Sequence, residues 1–132
     1  MHSTSVRIDG ATHDELKRLA AGDVIDLDLG VPRGREAGLV HPAVVLTAQR
    51  VLERGPSVVQ VAPITSTRRG FESEIEVVND AANGLGRPWA IQCQHVRAVS
   101  TERVIAVRGN VGSLVLAQAR DSVAVLLDLP VS

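Results

Sequence analysis

The chain has 132 residues, 45% of them hydrophobic, and a formal net charge of −1 at pH 7. This length fits one domain with a single core and excludes two full domains. The near-neutral charge and the presence of only two aromatic residues exclude a uniformly basic polyelectrolyte and a platform that stacks bases on several rings.

The sequence also bears on location. Its longest apolar runs are far shorter than the roughly 20 residues of a membrane-spanning helix, and its first residues lack the pattern of a secretory signal. Cys93 is the only cysteine, which suits a reducing cytosol. We therefore expect a soluble, cytoplasmic protein. The 13 arginines against one lysine are compatible with phosphate recognition and equally with a GC-rich coding bias.

The first predicted elements lie before residue 23. Residues 5–8 alternate like a short strand, and the T-x-x-E sequence of residues 12–15 is a capping box that opens a helix ending near Gly22. At residues 23–29 the apolar pattern changes to period two, which predicts a strand with one wet face. The turn-forming residues of 30–38 then predict a loop.

Valine-rich segments separated by glycine and proline predict further strands, because β-branched residues favour pleated, half-buried surfaces. Residues 42–48 and 57–64 are apolar on both faces, so we predict two fully buried strands there. More strands are predicted at residues 74–77, 89–99 and 104–108.

A closing helix is predicted after the last strand. Ser113 is expected to cap it, and four apolar residues repeat at helical spacing. About six short strands with a helix at each end favour a mainly β (α+β) fold that closes into a small barrel without exposed edges. The helical repeat consists of Leu116, Ala119, Val123 and Leu126.

Metal and nucleotide motifs are not found. The four histidines have no metal-ligand spacing, and the glycines do not form a phosphate-cradling loop, so we expect no metal and no cofactor. Cys93 and His95 lie two residues apart on a predicted strand and could form a nucleophile pair. The alternative, which we favour, is a small core thiol beside a semi-exposed imidazole.

Two polar loops flank the two buried strands. If these strands pair antiparallel, both loops emerge at the same edge of the sheet. Cations, hydroxyls, a carboxylate and an imidazole would then meet, a set that suits cleavage of an RNA phosphodiester. The alternative is that both loops are solvated surface loops without a catalytic role, and the residues alone favour this alternative. The first loop holds Arg33, Arg35, Glu36 and His41, and the second holds Thr65, Ser66, Thr67, Arg68 and Arg69.

Several blocks, in this order, resemble the MazF/PemK toxins of type II toxin–antitoxin modules. The first half carries GDVIDLDLG at residues 22–30, GRE at 34–36, HPAVVL at 41–46 and APITS at 62–66. The second half carries QHVRAVSTERV at residues 94–104, GNV at 109–111 and LDL at 127–129. The resemblance thus covers about residues 22 to 129.

The resemblance implies a small SH3-like barrel of the CcdB/PemK type at residues 22–132, preceded by an extension at residues 1–21. It implies a homodimer that cleaves single-stranded RNA at short sequence motifs without a metal, leaving a 2′,3′-cyclic phosphate and a 5′-hydroxyl. It also implies a cognate antitoxin peptide as partner. Separately, residues 3–21 weakly resemble the opening strand and first helix of ribbon-helix-helix antitoxins.

The resemblance also assigns site residues. Thr65 matches the family threonine that serves the scissile phosphate, whereas His41 stands where most members have an arginine. An imidazole could act there as general acid or base; the alternative is a strand-edge residue with no catalytic role. The resemblance implies RNA contacts for Glu36, Gln94 and His95, and the two polar loops add Arg33, Arg35, Ser66, Arg68 and Arg69 as predicted RNA contacts.

Two other functions remain open for the same fold. One is a barrel that binds a protein target, as gyrase poisons of the CcdB-like branch do. The other is a catalytically silent member, which the replacement at His41 makes credible. We predict the endoribonuclease toxin over both.

Overall fold

The computed structural model describes residues 18–30, 40–66, 73–78, 80–86 and 88–131. The predicted strand at residues 5–8, the predicted helix up to residue 17 and most of the loop at 30–38 lie outside them. The strands are β1 (Asp23–Asp28), β2 (Val40–Val45), β3 (Val58–Thr65), β4 (Glu74–Val77), β5 (Trp89–Gln92), β6 (Arg97–Ser100) and β7 (Val104–Asn110). The helices are α1 (Gln49–Leu52) and α2 (Gly112–Leu126), and 3₁₀ turns span Cys93–His95 and Thr101–Arg103.

The strands form one antiparallel sheet in the order β4-β5-β3-β2-β1-β7, with β6 also paired to β3. Strand β3 has β2 along one edge, and its other edge is shared by two partners. The first half of β3 pairs with β6, and Ile64 and Thr65 pair with β5. The predicted mainly β fold with a C-terminal helix is confirmed.

The prediction of one strand over residues 89–99 is wrong, and this shared edge gives the reason. After β5 has paired with the end of β3, the chain must move to the beginning of β3 to form β6. It therefore breaks at a 3₁₀ turn whose first residue, Cys93, is fully buried. The second 3₁₀ turn separates β6 from β7 in the same way.

Both faces of the central strands are buried, as predicted for β2 and β3. Side chains alternate across a strand, so neighbouring residues enter different clusters. One cluster lies under α2 and includes Val44, Ala62, Ile64, Ile91, Cys93, Leu116 and Ala119. The other lies on the opposite face and includes Leu19, Ile25, Ala43, Val45, Leu52, Val59 and Val61.

The segment after β2 differs from the prediction. Residues 46–48, predicted as the end of a strand, leave the sheet and lead into the short helix α1, which was not predicted. Leu52 at the end of α1 is 1% exposed and fills the cluster away from α2. A four-residue helix with one buried side chain has no periodicity that could be read from sequence.

Ser113 does not cap α2, contrary to the prediction. The helix begins at Gly112, so Ser113 already lies inside its first turn, and the N-cap residue Val111 provides no side-chain hydrogen bond. Instead the Gly112 N–H donates to Oδ1 of Asn110 at 2.8 Å. The predicted apolar face of α2 is buried at Leu116 and Ala119, whereas Leu126 at its end is 51% exposed.

A buried carboxylate fixes the start of β1. Asp23 is fully buried and accepts hydrogen bonds from the Ala20 N–H at 2.8 Å and from Nδ2 of Asn110 at 3.0 Å. Leu19, just before this turn, is 3% exposed and packs with Ile25. Residues 18–22 are therefore not helical, contrary to the prediction of a helix that ends near Gly22. No helix in the described residues is long and apolar enough to cross a bilayer.

Candidate active site

A cleft of about 400 Å³ lies beside the start of β2 and the end of β3. Its floor belongs to the face of β1, β2 and β3 turned away from α2, and the turn between β5 and β6 forms its far wall. The lining residues are Leu27, Leu29, His41, Pro42, Ala43, Val61, Pro63, Ile64, Thr65, Gln92, His95 and Arg97.

Strand pairing explains why two of the predicted site residues meet in this cleft. Strands β2 and β3 are antiparallel, with Ala43 opposite Pro63. His41 and Thr65 each lie two residues farther toward the same end, so they belong to the same face and to the same edge of the sheet. The predicted meeting of the two strand ends is confirmed at these residues. His41 is exposed and Thr65 is half-buried.

The 3₁₀ turn brings a third predicted residue to the cleft. His95 ends the turn and is exposed, and Arg97 follows on β6, opposite Val61 of β3. Arg97 and Gln92 line the cleft but were not predicted as site residues. Arg97 could have been predicted, because residues 95 and 97 share one face of a strand. Gln92 could not, because the turn that follows it was not predicted.

The other predicted RNA-contact residues that the structure describes do not line the cleft. Gln94 points toward β4, where its Oε1 accepts a hydrogen bond from Oγ of Ser73 at 2.8 Å and its Nε2 is buried. Ser66 directly follows β3 and is exposed, but it does not line the cleft. The predicted residues Arg33, Arg35, Glu36, Arg68 and Arg69 lie outside the described residues.

Cys93 and His95 do not form a pair, and the favoured interpretation of a core thiol is confirmed. Cys93 is fully buried in the cluster under α2, whereas His95 lines the cleft on the other side of the turn. Burial raises the pKa of the Cys93 thiol, partly offset by a hydrogen bond with Ser122 of α2. A raised pKa leaves less of the reactive thiolate at any given pH.

We therefore expect Cys93 to resist alkylation in the folded protein. At pH 8, iodoacetamide should modify native Cys93 at least about tenfold more slowly than the same thiol in guanidinium chloride. Mass spectrometry of timed samples measures both rates. Equal rates in the two conditions would show that the thiol is accessible and would contradict its placement under α2.

The charge of the cleft suits an anionic ligand. Its described lining contains two imidazoles, one guanidinium and no carboxylate. Within the described segments, no group of three histidine, cysteine or acidic side chains is placed to hold a metal ion. A hydroxyl, two imidazoles and a fixed cation can together bind a phosphodiester and move protons to and from its oxygens.

Comparison with known proteins places the chain in a family. Residues 20–127 match the family described as PemK-like, MazF-like toxin of type II toxin–antitoxin system. The chain is also 30% identical over 112 residues to endoribonuclease MazF9 of Mycobacterium tuberculosis, a match that spans 82% of this chain and 95% of that protein.

Solved structures share the fold. The Mycobacterium tuberculosis toxin MazF-mt6 superimposes with a TM-score of 0.66 at 24% identity, covering 82% of this chain and 98% of that one. A mycobacterial endoribonuclease in complex with its cognate antitoxin gives a TM-score of 0.66 at 17% identity, covering 85% of this chain and 97% of that one. From the matched family and its relatives, we conclude that the chain belongs to the PemK-like, MazF-like toxins of type II toxin–antitoxin systems.

Proposed function

We propose that this protein is a cytoplasmic endoribonuclease toxin that cleaves single-stranded RNA at short sequence motifs without a metal. The products are a 2′,3′-cyclic phosphate and a 5′-hydroxyl. The observation that carries the proposal is the meeting of His41 and Thr65 in one cleft whose described lining is cationic. The name of the relative MazF9, an endoribonuclease, supports the same activity.

The cleft residues divide the chemistry between them. The Thr65 hydroxyl donates a hydrogen bond to a non-bridging oxygen of the scissile phosphate. Arg97 supplies fixed positive charge as negative charge develops on that phosphate. His41 exchanges a proton with a reacting oxygen, a step that the arginine of most family members is poorly suited to perform because a guanidinium stays charged.

RNA contacts beyond the scissile phosphate are proposed for the residues predicted from the two polar loops and from the family resemblance. Gln94 and Ser66 would contact the RNA outside the cleft, since neither residue lines the cleft. RNA contacts are also proposed for His95, which lines the cleft, and for the loop residues Arg33, Arg35, Glu36, Arg68 and Arg69. The cleavage motif would be set by these contacts together with the shape of the cleft.

We further propose a homodimer and a cognate antitoxin as partners. Exposed apolar side chains at the end of α2 and beyond it supply a surface for a protein contact, and the mycobacterial relative was solved with its antitoxin. Residues 22–132 would carry the activity, with residues 1–21 as an extension. The exposed apolar residues are Val125, Leu126, Leu127, Leu129 and Val131.

A cleavage assay in excess EDTA tests the proposed activity. Purified protein is incubated with a single-stranded RNA and with a fully paired RNA of the same sequence, and new ends are mapped. We expect discrete cuts in the single strand only. An uncut single strand at stoichiometric protein, with the circular dichroism spectrum of a folded chain, would overturn the proposal.

A further inference from the structure

A second imidazole lies in the cleft in a position that suits proton transfer. His95 lines the same cleft as His41 and Thr65 and is exposed, so its ring is available to a substrate. We propose that His95 is a catalytic residue and that His41 and His95 act as a general acid–base pair. This inference rests on the proposed endoribonuclease function and gives His95 a chemical role in addition to RNA contact.

The sheet order places the two imidazoles on opposite sides of Thr65. Strand β3 has β2, with His41, along one edge, and it has β5, β6 and the turn that carries His95 along the other. Thr65 ends β3 between them. A phosphate held by Thr65 would therefore have one imidazole on each side, as displacement at phosphorus with the attacking and leaving oxygens in line requires.

The surrounding charges also favour a pair. In the described lining of the cleft, the charged or titratable side chains are His41, His95 and Arg97. No carboxylate there could take a proton from the attacking hydroxyl, and Arg97 stays charged at working pH. The two imidazoles are thus the groups in the described lining that can exchange protons near neutral pH.

The proposed step balances with two proton transfers. One imidazole, neutral at the start, accepts the proton of the RNA 2′-hydroxyl as that oxygen bonds to phosphorus. The other, an imidazolium at the start, donates its proton to the 5′-oxygen as the P–O5′ bond breaks. The products are the 2′,3′-cyclic phosphate and the 5′-hydroxyl, and exchange of protons with water restores both imidazoles.

Substrates with a changed leaving group test this pair. The variants are His41→Asn and His95→Asn, and the matched control is Arg54→Ala, an exposed site after α1 and away from the cleft. Each is assayed on the single-stranded RNA that the wild type cuts, and on the same RNA with sulfur replacing the 5′-bridging oxygen at the mapped linkage. A thiolate leaves without protonation, so this RNA does not need a general acid.

We expect each Asn variant to cut ordinary RNA about 10²- to 10⁴-fold more slowly than the wild type. The sulfur substrate should restore one variant, the one that lost its acid, to within about tenfold of the wild type, and should leave the other slow. The wild-type rate should be bell-shaped in pH, with one limb lost in each variant. Because both histidines are exposed, the variants should remain folded by circular dichroism.

The outcomes separate the two proposals. A wild type that cuts no RNA overturns the endoribonuclease and the pair together. An active wild type with a His95→Asn variant within about threefold of it overturns the pair alone and leaves the activity standing. Rescue of both variants, or of neither, also overturns the pair, since an acid and a base must respond differently.

Discussion

Replacing Thr65 with valine is expected to slow RNA cleavage by about 10²- to 10³-fold, the usual cost of removing one positioned donor from a developing charge. Valine has nearly the shape of threonine and the same preference for strands, so the change removes the hydroxyl and little else. Thr65 ends β3 opposite Ala90, half-buried at the cleft. Single-turnover cleavage of a mapped single-stranded RNA measures the rate.

The matched control is Thr65→Ser, which keeps the hydroxyl and loses only a methyl group. We expect it to retain activity within about tenfold of the wild type, with both variants melting close to the wild-type temperature. If Thr65→Val cut RNA as fast as the wild type, the Thr65 hydroxyl would have no role at the scissile phosphate. Equal losses in Thr65→Ser and Thr65→Val would instead assign the effect to strand packing.

Replacing Ile91 with alanine is expected to lower the free energy of unfolding by about 3 to 4 kcal/mol, because it removes a fully buried side chain and leaves a cavity. Ile91 is 0% exposed, lies opposite Ile64 of β3 and opposite Ile75 of β4, and belongs to the cluster under α2. Urea denaturation followed by circular dichroism measures the loss.

Two further variants calibrate that result. Ile91→Val removes one methylene and should cost about 1 kcal/mol. Val58→Ala changes a residue of β3 that is 45% exposed and should cost clearly less than Ile91→Ala. A loss below about 1 kcal/mol for Ile91→Ala would contradict the cluster under α2.

Much of the fold could be predicted from the apolar pattern. Strand β1 alternates from Ile25 to Asp28, and β2 and β3 are apolar on both faces because each is buried between two clusters. The side chains on α2 that contact the sheet repeat at helical spacing. These elements depend on local periodicity, which one sequence displays directly.

What could not be predicted depends on tertiary partners. The break at residues 93–95 follows from the need of the chain to pair with both halves of β3, and no local signal marks it. The helix start depends on Asn110, whose side chain bonds Gly112 and also Asp23, far away in sequence. Ser113 was predicted as the cap because serine is a common N-cap residue, but the helix begins before it and its N-cap position is Val111.

The candidate site shows the same division. His41 and Thr65 could be placed together because an antiparallel pair of consecutive strands brings their ends to one edge. Arg97 could have been added from its spacing two residues after His95, whereas Gln92 could not, since its position depends on the unpredicted turn. Gln94, predicted with His95 from the family resemblance, lies on the other side of the turn, where its Oε1 accepts a hydrogen bond from Ser73.

The chemical nature of the new RNA ends tests the central claim most directly. A single-stranded RNA cut by the wild-type protein in excess EDTA is analysed by mass spectrometry of both fragments. Attack by the 2′-hydroxyl, aided by the imidazoles and held by Thr65, predicts a 2′,3′-cyclic phosphate on the upstream fragment and a 5′-hydroxyl on the downstream one. A 3′-hydroxyl with a 5′-phosphate, or an RNA that remains uncut, would contradict the account.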